Sequence, residues 1–354
     1  MSENNLINRK NKSQLIEDLM NENFKRRTCS FYIYVKIKDP QSMRQNLLKD
    51  WSKHKILGRV YIAYEGINAQ LSIPDFIWDN FISSIGRYKE FSSILIKEAV
   101  VEQNDAFIKL IIKVKNKLVA DGLKQSEYNL NKVGKHLSAQ EFNNAMEDPN
   151  AIIIDMRNYY ESEIGHFENA ICPDVATFKE ALPVVKKELA NKKNNKILMY
   201  CTGGIRCEKA SAYLKHHGFS DICQLDGGII EYTHQIKKYN LNSKFKGNNF
   251  VFDGRMNESI SHDIISLCHQ CDLPSSDHTN CNNQACHILF IQCQSCYSKY
   301  EGCCSVECKT IYRLPIDEQR KLRKKPNLAA PLKQYQKSVK PKLKDLIQEK
   351  NKIK

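Results

Sequence analysis

The chain has 354 residues, 42% of them hydrophobic, and its 54 Lys and Arg against 40 Asp and Glu give a net charge of +14. That length supports two or three domains with sizeable cores, and the lack of any apolar run of about 18 residues excludes a membrane-spanning helix. The polar start, Met1 to Lys12, has no apolar signal core, so the 14 cysteines are expected as reduced thiols, metal ligands and catalysts of a cytoplasmic protein.

Residues 1–26 read as a polar, weakly helical extension. A compact unit is expected over 27–120. Cys29 to Ile37 alternates and is rich in aromatic and β-branched residues, which predicts a strand. Gln41 to His54 suits a helix, and Gly58 to Ala63 a second strand. Glu65-Gly66-Ile67-Asn68 reads as a tight turn before a strand over Ala69 to Ile73. A helix over Phe76 to Ile85 and a closing strand over Ala106 to Val114 complete a β-α-β-β-α-β order, the ferredoxin-like split βαβ pattern of an α+β domain. Lys36, Lys38, Arg44, Lys49, Lys53, Lys55 and Arg59 make this unit basic. Residues 121–137, polar and holding Gly122 and Gly134, suit a linker.

A second unit is expected over 138–240. Ser138 caps a helix running to Met146. Ala151 to Ile154 is an apolar strand ending at Asp155, Phe178 to Leu189 a helix, and Lys196 to Tyr200 another strand. Alternating β and α elements mean a parallel sheet covered on both faces. After Tyr200 comes Cys201-Thr202-Gly203-Gly204-Ile205-Arg206-Cys207, then a helical stretch from Glu208 to His217, Gly218, and a strand over Ile222 to Leu225. A strand that delivers a cysteine to a helix N-terminus places it in a cradle of backbone N–H groups. Such a cradle turns Cys201 into a thiolate nucleophile at neutral pH. Arg206 adds a fixed positive charge able to orient an anion, and Cys207 is a second thiol able to resolve an oxidised or sulfur-loaded Cys201. Cys223, within an apolar strand, belongs to the core.

Residues 241–310 hold nine cysteines. Cys268/Cys271 and Cys293/Cys296 are C-x-x-C pairs; Cys281/Cys286 and Cys304/Cys308 are wider ones. Four pairs suit two structural tetrahedral zinc sites, without which so short and polar a region has little means to fold. A crossed arrangement, first pair with third and second with fourth, is expected; Cys303, His269, His278 and His287 are alternative ligands. The tail over 311–354 carries, from Lys309 onward, 15 Lys and Arg against 4 Asp and Glu. It reads either as an electrostatic footprint for nucleic acid or as a solvated arm.

Several of these motifs together are similar to a known family. Asp155-Met156-Arg157-Asn158-Tyr159-Tyr160-Glu161, Glu163-Ile164-Gly165-His166-Phe167, Ala170-Ile171, the Cys201 loop and Leu225-Asp226-Gly227-Gly228-Ile229 resemble a rhodanese domain. With the ferredoxin-like unit, its Glu65-Gly66-Ile67-Asn68 turn and the cysteine-rich end, the layout over about 28–325 resembles the tRNA uridine(34) hydroxylase family. One departure is Ala69, where the family turn has Gly. The resemblance implies oxygen-dependent 5-hydroxylation of the wobble uridine, with Cys201 as the essential cysteine, the tRNA anticodon loop and molecular oxygen as partners, and a monomer free of membrane. The residues alone give a different first expectation, a sulfurtransferase passing a Cys201 persulfide to an acceptor. A cysteine phosphatase fits poorly, because Arg206 stands five positions after Cys201 where that chemistry has six. No dinucleotide motif and no iron site is recognised, so no flavin, nicotinamide or iron is expected. His166-Phe167-Glu168 matches H-x-E but falls within the rhodanese signature and reads as structural.

Overall fold

The computed structural model describes residues 10–102, 104–324, 329–332 and 340–352. Residues 1–9 of the polar extension, and 325–328, 333–339 and 353–354 of the basic tail, lie outside the described residues, as does residue 103.

The first unit runs α1 (Lys12–Met20), β1 (Arg26–Tyr34), α2 (Pro40–Lys53), β2 (Leu57–Ala63), β3 (Gly66–Pro74), α3 (Trp78–Ile85), β4 (Lys97–Glu98) and β5 (Leu110–Val114). Its sheet has the order β4-β1-β3-β2-β5. All pairings are antiparallel except β2 with β5. The split βαβ order holds, with one correction. The strand that closes it beside β1 is the two-residue β4, whereas the expected Ala106 to Val114 strand is shorter, Leu110–Val114, and adds a parallel edge beside β2. Two residues are too few to carry a period, so the alternation further on drew the assignment. The α2 helix starts where the Asp39 carboxylate accepts from the Gln41 and Ser42 N–H groups, and buries Met43, Leu47 and Trp51 at spacings of four. β1 divides its side chains by the pleat: Cys29 and Phe31 enter this unit's core, while Tyr32 and Tyr34 face the second unit.

The second unit contains β6 (Lys135–Leu137), α4 (Ala139–Ala145), β7 (Ile152–Asp155), α5 (Tyr159–Ser162), β8 (Gly165–Phe167), α6 (Phe178–Glu188), β9 (Ile197–Tyr200), α7 (Ile205–His216), β10 (Ile222–Leu225) and α8 (Gly228–Tyr239). β6-β10-β9-β7 form a parallel sheet. Successive residues of its strands point to opposite cores. Ile154, Ile197 and Met199 pack with α6 and α7, and Ile153, Leu198 and Tyr200 pack with Phe142 of α4 and Tyr232 of α8. A parallel sheet covered on both faces is thereby observed. α7 begins at Ile205, three residues before the expected Glu208, which puts Arg206 and Cys207 in its first turn. The stretch read as a linker is packed: Tyr128 enters the α6/α7 core and Asp121 is buried. Most of its polar residues are exposed, as a linker's would be, while Asp121 is drawn inside by ion pairs with Lys117 and Lys209.

The remainder comprises β11 (Phe245–Phe250), β12 (Asn257–Ser259), β13 (His278–Asn280), β14 (Leu289–Ile291), α9 (Gln294–Tyr300), α10 (Val306–Tyr312), α11 (Ile316–Arg323) and α12 (Leu343–Lys352). β11 pairs with β8 and stitches this part to the second unit. The solvated-arm reading of the tail fails for α12. Leu343 and Leu346 are buried against Ile288, Phe290 and the cysteines 281, 286, 303, 304 and 308. Lys342, Lys344 and Lys350 pair with Asp174, Asp272 and Glu307. An apolar face every three to four residues outweighed the charge run as a guide to this segment. Among the described residues, no helix is long and apolar enough to cross a membrane.

Candidate active site and metal centres

Cys201 follows the buried, all-apolar β9 and is itself fully buried. The backbone turns at Gly204, whose φ of +97° suits a residue without Cβ. The Gly204 N–H then donates to Cys201 Sγ at 3.2 Å. A second clamp comes from behind. At the start of α8, the Ile229 and Ile230 N–H groups donate to the carbonyls of Cys201 and Thr202 at 3.1 and 3.2 Å. That approach depends on Gly228, where φ is +69° and a Cβ would lie 2.5 Å from the Cys201 carbonyl oxygen. The Asp226-Gly227-Gly228 motif is therefore the rear support of the Cys201 loop.

Burial alone would push the Cys201 thiol up. The hydrogen bond from the Cys207 thiol, the Arg206 charge and the N–H groups of Arg206 and Gly204 outweigh it and bring Cys201 down to about 5. Cys207 moves the opposite way, raised by burial and by its bond to Cys201. The two cysteines thus form an unequal pair, a thiolate and its thiol donor. Cys207 also packs in the α6/α7 core, so the catalytic and packing readings of this residue both describe its surroundings.

Arg206 is not free to hold a phosphate. Its guanidinium makes a two-pronged pair with Glu161 at 2.6 and 2.8 Å, and one arm lies 3.3 Å from Thr202 Oγ1. Both partners are buried. Glu161 is therefore a site residue that sequence reasoning quoted only as part of a signature. Its neighbour in that signature, Asp155, makes an analogous buried pair with Arg157, whose guanidinium also donates to the Gly165 carbonyl at 2.5 Å. Gly203 lines the front of the loop, and Ile205 opens α7 with its carbonyl accepting from Tyr34 Oη at 3.3 Å. His166 Nδ1 lies 3.1 Å from its neighbour's carbonyl and Glu168 pairs with Lys246, in keeping with the structural reading of the H-x-E match.

The first unit covers this loop. Tyr32 Oη donates to Glu208 Oε1 at 3.2 Å, and the same carboxylate receives His136 Nε2 at 2.8 Å and Gln224 Nε2 at 3.0 Å. The Glu208 hydrogen bond raises the His136 pKa. Lys97, from β4, donates to the Gly203 carbonyl at 3.1 Å. Between the units lies a cavity of about 290 Å³ lined by Tyr32, Tyr34, Lys97, Glu208 and Asp226. Behind it, Lys209 of α7 is fully buried against Glu65 at 2.6 Å, Asp121 at 3.2 Å and Tyr128 Oη at 2.9 Å, and Glu65 also accepts from the Leu118 N–H. The Glu65-Gly66-Ile67-Asn68 segment, read as a turn, thus supplies the carboxylate that docks one unit on the other. A larger cavity, about 620 Å³ and mostly apolar, lies between α1, β2 and the segment after β11, and none of the Cys201 loop lines it.

The cysteine-rich part forms two quartets, Cys268-Cys271-Cys293-Cys296 and Cys281-Cys286-Cys304-Cys308, each with its sulfurs within 4.8 Å of one another. The crossed pairing expected from the sequence is the one observed. Sulfur separations of 3.5 Å (271 to 293), 3.7 Å (286 to 304) and 3.6 Å (304 to 308) are far longer than a disulfide. They approach the edge of about 3.8 Å that a tetrahedron with metal–sulfur bonds of about 2.3 Å requires. Both quartets can hold a metal ion, and four thiolates suit a closed structural site. The alternative ligands lie outside the quartets. His269 pairs with Glu163, His278 is buried and held neutral with its pKa near 4, largely by burial, and Cys303 packs beside Cys281. Asn283 Nδ2 donates to Cys308 Sγ at 3.4 Å, the kind of outer contact that orients a ligand.

Sequence models of three families match the chain: a UPF0176 acylphosphatase like domain over residues 26–118, a Rhodanese-like domain over 138–235 and a Rhodanase C-terminal region over 246–309. The chain is 53% identical to a tRNA uridine(34) hydroxylase of Leptospira interrogans over 88% of its length and 85% of that protein. It is 45% identical to proteins of the same name from Pectobacterium atrosepticum and Escherichia fergusonii, over 90% of this chain in each case and 90% and 91% of those proteins. A rhodanese-like domain protein from Staphylococcus aureus is 25% identical over 28% of this chain and 90% of that one, with a TM-score of 0.24. Identity of this extent, running through all three units, means that the chain belongs to the tRNA uridine(34) hydroxylase family.

Proposed function

We propose that this protein hydroxylates carbon 5 of uridine 34 in tRNA, with molecular oxygen as oxidant and Cys201 as the reacting thiolate. The observation that carries the reading is the near full-length identity to proteins named for that reaction. The site supports it chemically. A thiolate held near pKa 5 is a ready nucleophile at neutral pH, and Cys207 keeps its proton to donate to Cys201. Hydroxylation replaces the C5–H with C5–OH using one atom of oxygen. The second atom leaves as water, which takes two electrons and two protons from a reductant. The base of a stacked anticodon loop must be splayed out to meet a side chain. The cavity between the first two units has room for one base, and its lining residues Lys97 and Tyr34 reach the Cys201 loop at the Gly203 and Ile205 carbonyls. The two cysteine quartets hold zinc in this reading and hold the C-terminal part in its fold.

Nucleoside mass spectrometry of tRNA tests the proposal. A deletion strain loses 5-hydroxyuridine and its derivatives, the wild-type gene restores them, and the Cys201→Ser gene does not. An unchanged nucleoside profile in the deletion strain would sink the reading. The Cys201–Cys207 pairing favours one second reading, sulfur transfer through a Cys201 persulfide. That reading requires a thiolated product and indifference to oxygen. Repeating the reaction anaerobically separates the two.

A further inference from the structure

Arg206 is the loop's own cation, and Glu161 already claims it through two short hydrogen bonds. A thiolate at Cys201 is then a buried negative charge stabilised by N–H dipoles and by an Arg206 charge that it shares with the Glu161 carboxylate. Burying such a charge without compensation is costly.

The first unit brings a second cation. Lys97 stands on the two-residue β4 and is almost wholly buried. Its stem lies beside two glycines of the second unit. A Cβ on Gly203 would meet Lys97 Cε at 3.9 Å, and one on Gly227 would meet Lys97 Cδ at 3.4 Å. Its ammonium is held by the Gly203 carbonyl at 3.1 Å and by the face of Tyr32 with 4.7 Å to the ring centre. Neither holder is a carboxylate. It lines both the cavity of about 290 Å³ and a second of about 40 Å³ that Thr202 of the loop also lines. Burial drops its pKa to about 8, and of the charges that oppose this drop the largest is Cys201, followed by Asp226, Glu231 and Glu208.

We infer that Lys97 is a positioning residue of the active site, supplied across the domain boundary: it holds the Gly203 carbonyl and serves as counter-ion of the Cys201 thiolate. The inference rests on the reading of Cys201 as the reacting thiolate. It makes the first unit part of the thiol's electrostatics and not only a clamp for RNA. Holding the Gly203 carbonyl fixes the peptide that leads into the Gly204 N–H, so one ammonium sets both the geometry and the charge of the cradle.

The test follows iodoacetamide labelling of Cys201 against pH on the full-length protein, read on the Cys201 peptide by mass spectrometry. Peptide-level reading separates Cys201 from the other 13 cysteines. The wild type labels with a midpoint near pH 5. Lys97→Met moves the midpoint up by about one unit or more, the usual effect of removing a nearby opposite charge. Lys97→Arg, which keeps the charge, stays close to the wild type. A folded Lys97→Met protein with the wild-type midpoint overturns the inference, as does one that labels more slowly at every pH with no shift. If the Met variant does not fold by circular dichroism, Lys97→Gln takes its place with the same two outcomes. The titration uses no tRNA, so failure of the hydroxylase reading leaves it intact, and its failure leaves the nucleoside test intact.

Discussion

At the scale of single residues, the site is a set of charges whose signs decide its behaviour. Cys201 is depressed to about 5, so its thiolate is populated above that pH and is lost as pH falls through it. Labelling of Cys201 is therefore expected to be nearly flat between pH 6 and 8 and to fall below pH 5, where an ordinary thiol would still be rising near pH 8.5. A pH–rate curve that rises through pH 8 would contradict this. Glu161→Gln leaves Arg206 charged and unpaired in the interior. We expect it to cost about 3–5 kcal/mol in urea unfolding. Cys201, the glycine pair and Arg206 were legible in the sequence because strand, loop and helix follow one another along the chain. The partner of Arg206 was not. Glu161 sits 45 residues earlier, and nothing local tells a carboxylate that caps its own helix start from one that spans the site. Lys97 was less legible still, since its role exists only where another unit's loop meets it.

At the scale of elements, two supports hold the loop, and each is a backbone contact. α7 offers N–H groups to the sulfur, and α8 offers N–H groups to the loop carbonyls. Gly228→Ala places a Cβ against the carbonyls of Cys201 and Thr202 at 2.5 and 2.7 Å, in a left-handed conformation. It is expected to lower hydroxylation at least about tenfold while costing about 1–3 kcal/mol in melting. Loss of stability with full activity would show that the rear clamp is structural only. Sequence patterns served well for elements of four or more residues with a clear period or an unbroken apolar run, such as the buried strands β7 and β9. They failed at β4, which is too short to have one. They failed too at α12, where the lysines masked the apolar face that carries the packing.

At the scale of the whole molecule, the first two units meet through the buried Lys209–Glu65–Asp121 joint, and the site lies in their seam. Lys209→Met removes the buried cation that Glu65 and Asp121 share, leaving Asp121 with Lys117 alone and Glu65 with the Leu118 N–H. We expect a loss of about 3–5 kcal/mol together with a larger radius of gyration in X-ray scattering, as the units part. A variant that stays compact and stable would show that other contacts hold the seam. Domain order and the two cysteine quartets were readable from composition and spacing, because they depend on residue types at fixed intervals. The way the units face one another was not, because it depends on side chains far apart in the chain.

The crossed order of the cysteine quartets has a consequence for assembly. The loop that the first quartet closes, from Cys271 to Cys293, contains Cys281 and Cys286 of the second. The loop that the second closes, from Cys286 to Cys304, contains Cys293 and Cys296 of the first. The two loops overlap along the chain, so filling either one gathers half of the other's ligands into a smaller volume and lowers the entropy cost of closing it. Loading then behaves as a single event. Native mass spectrometry during metal titration is expected to show empty and doubly loaded chains, with singly loaded chains well below their statistical share.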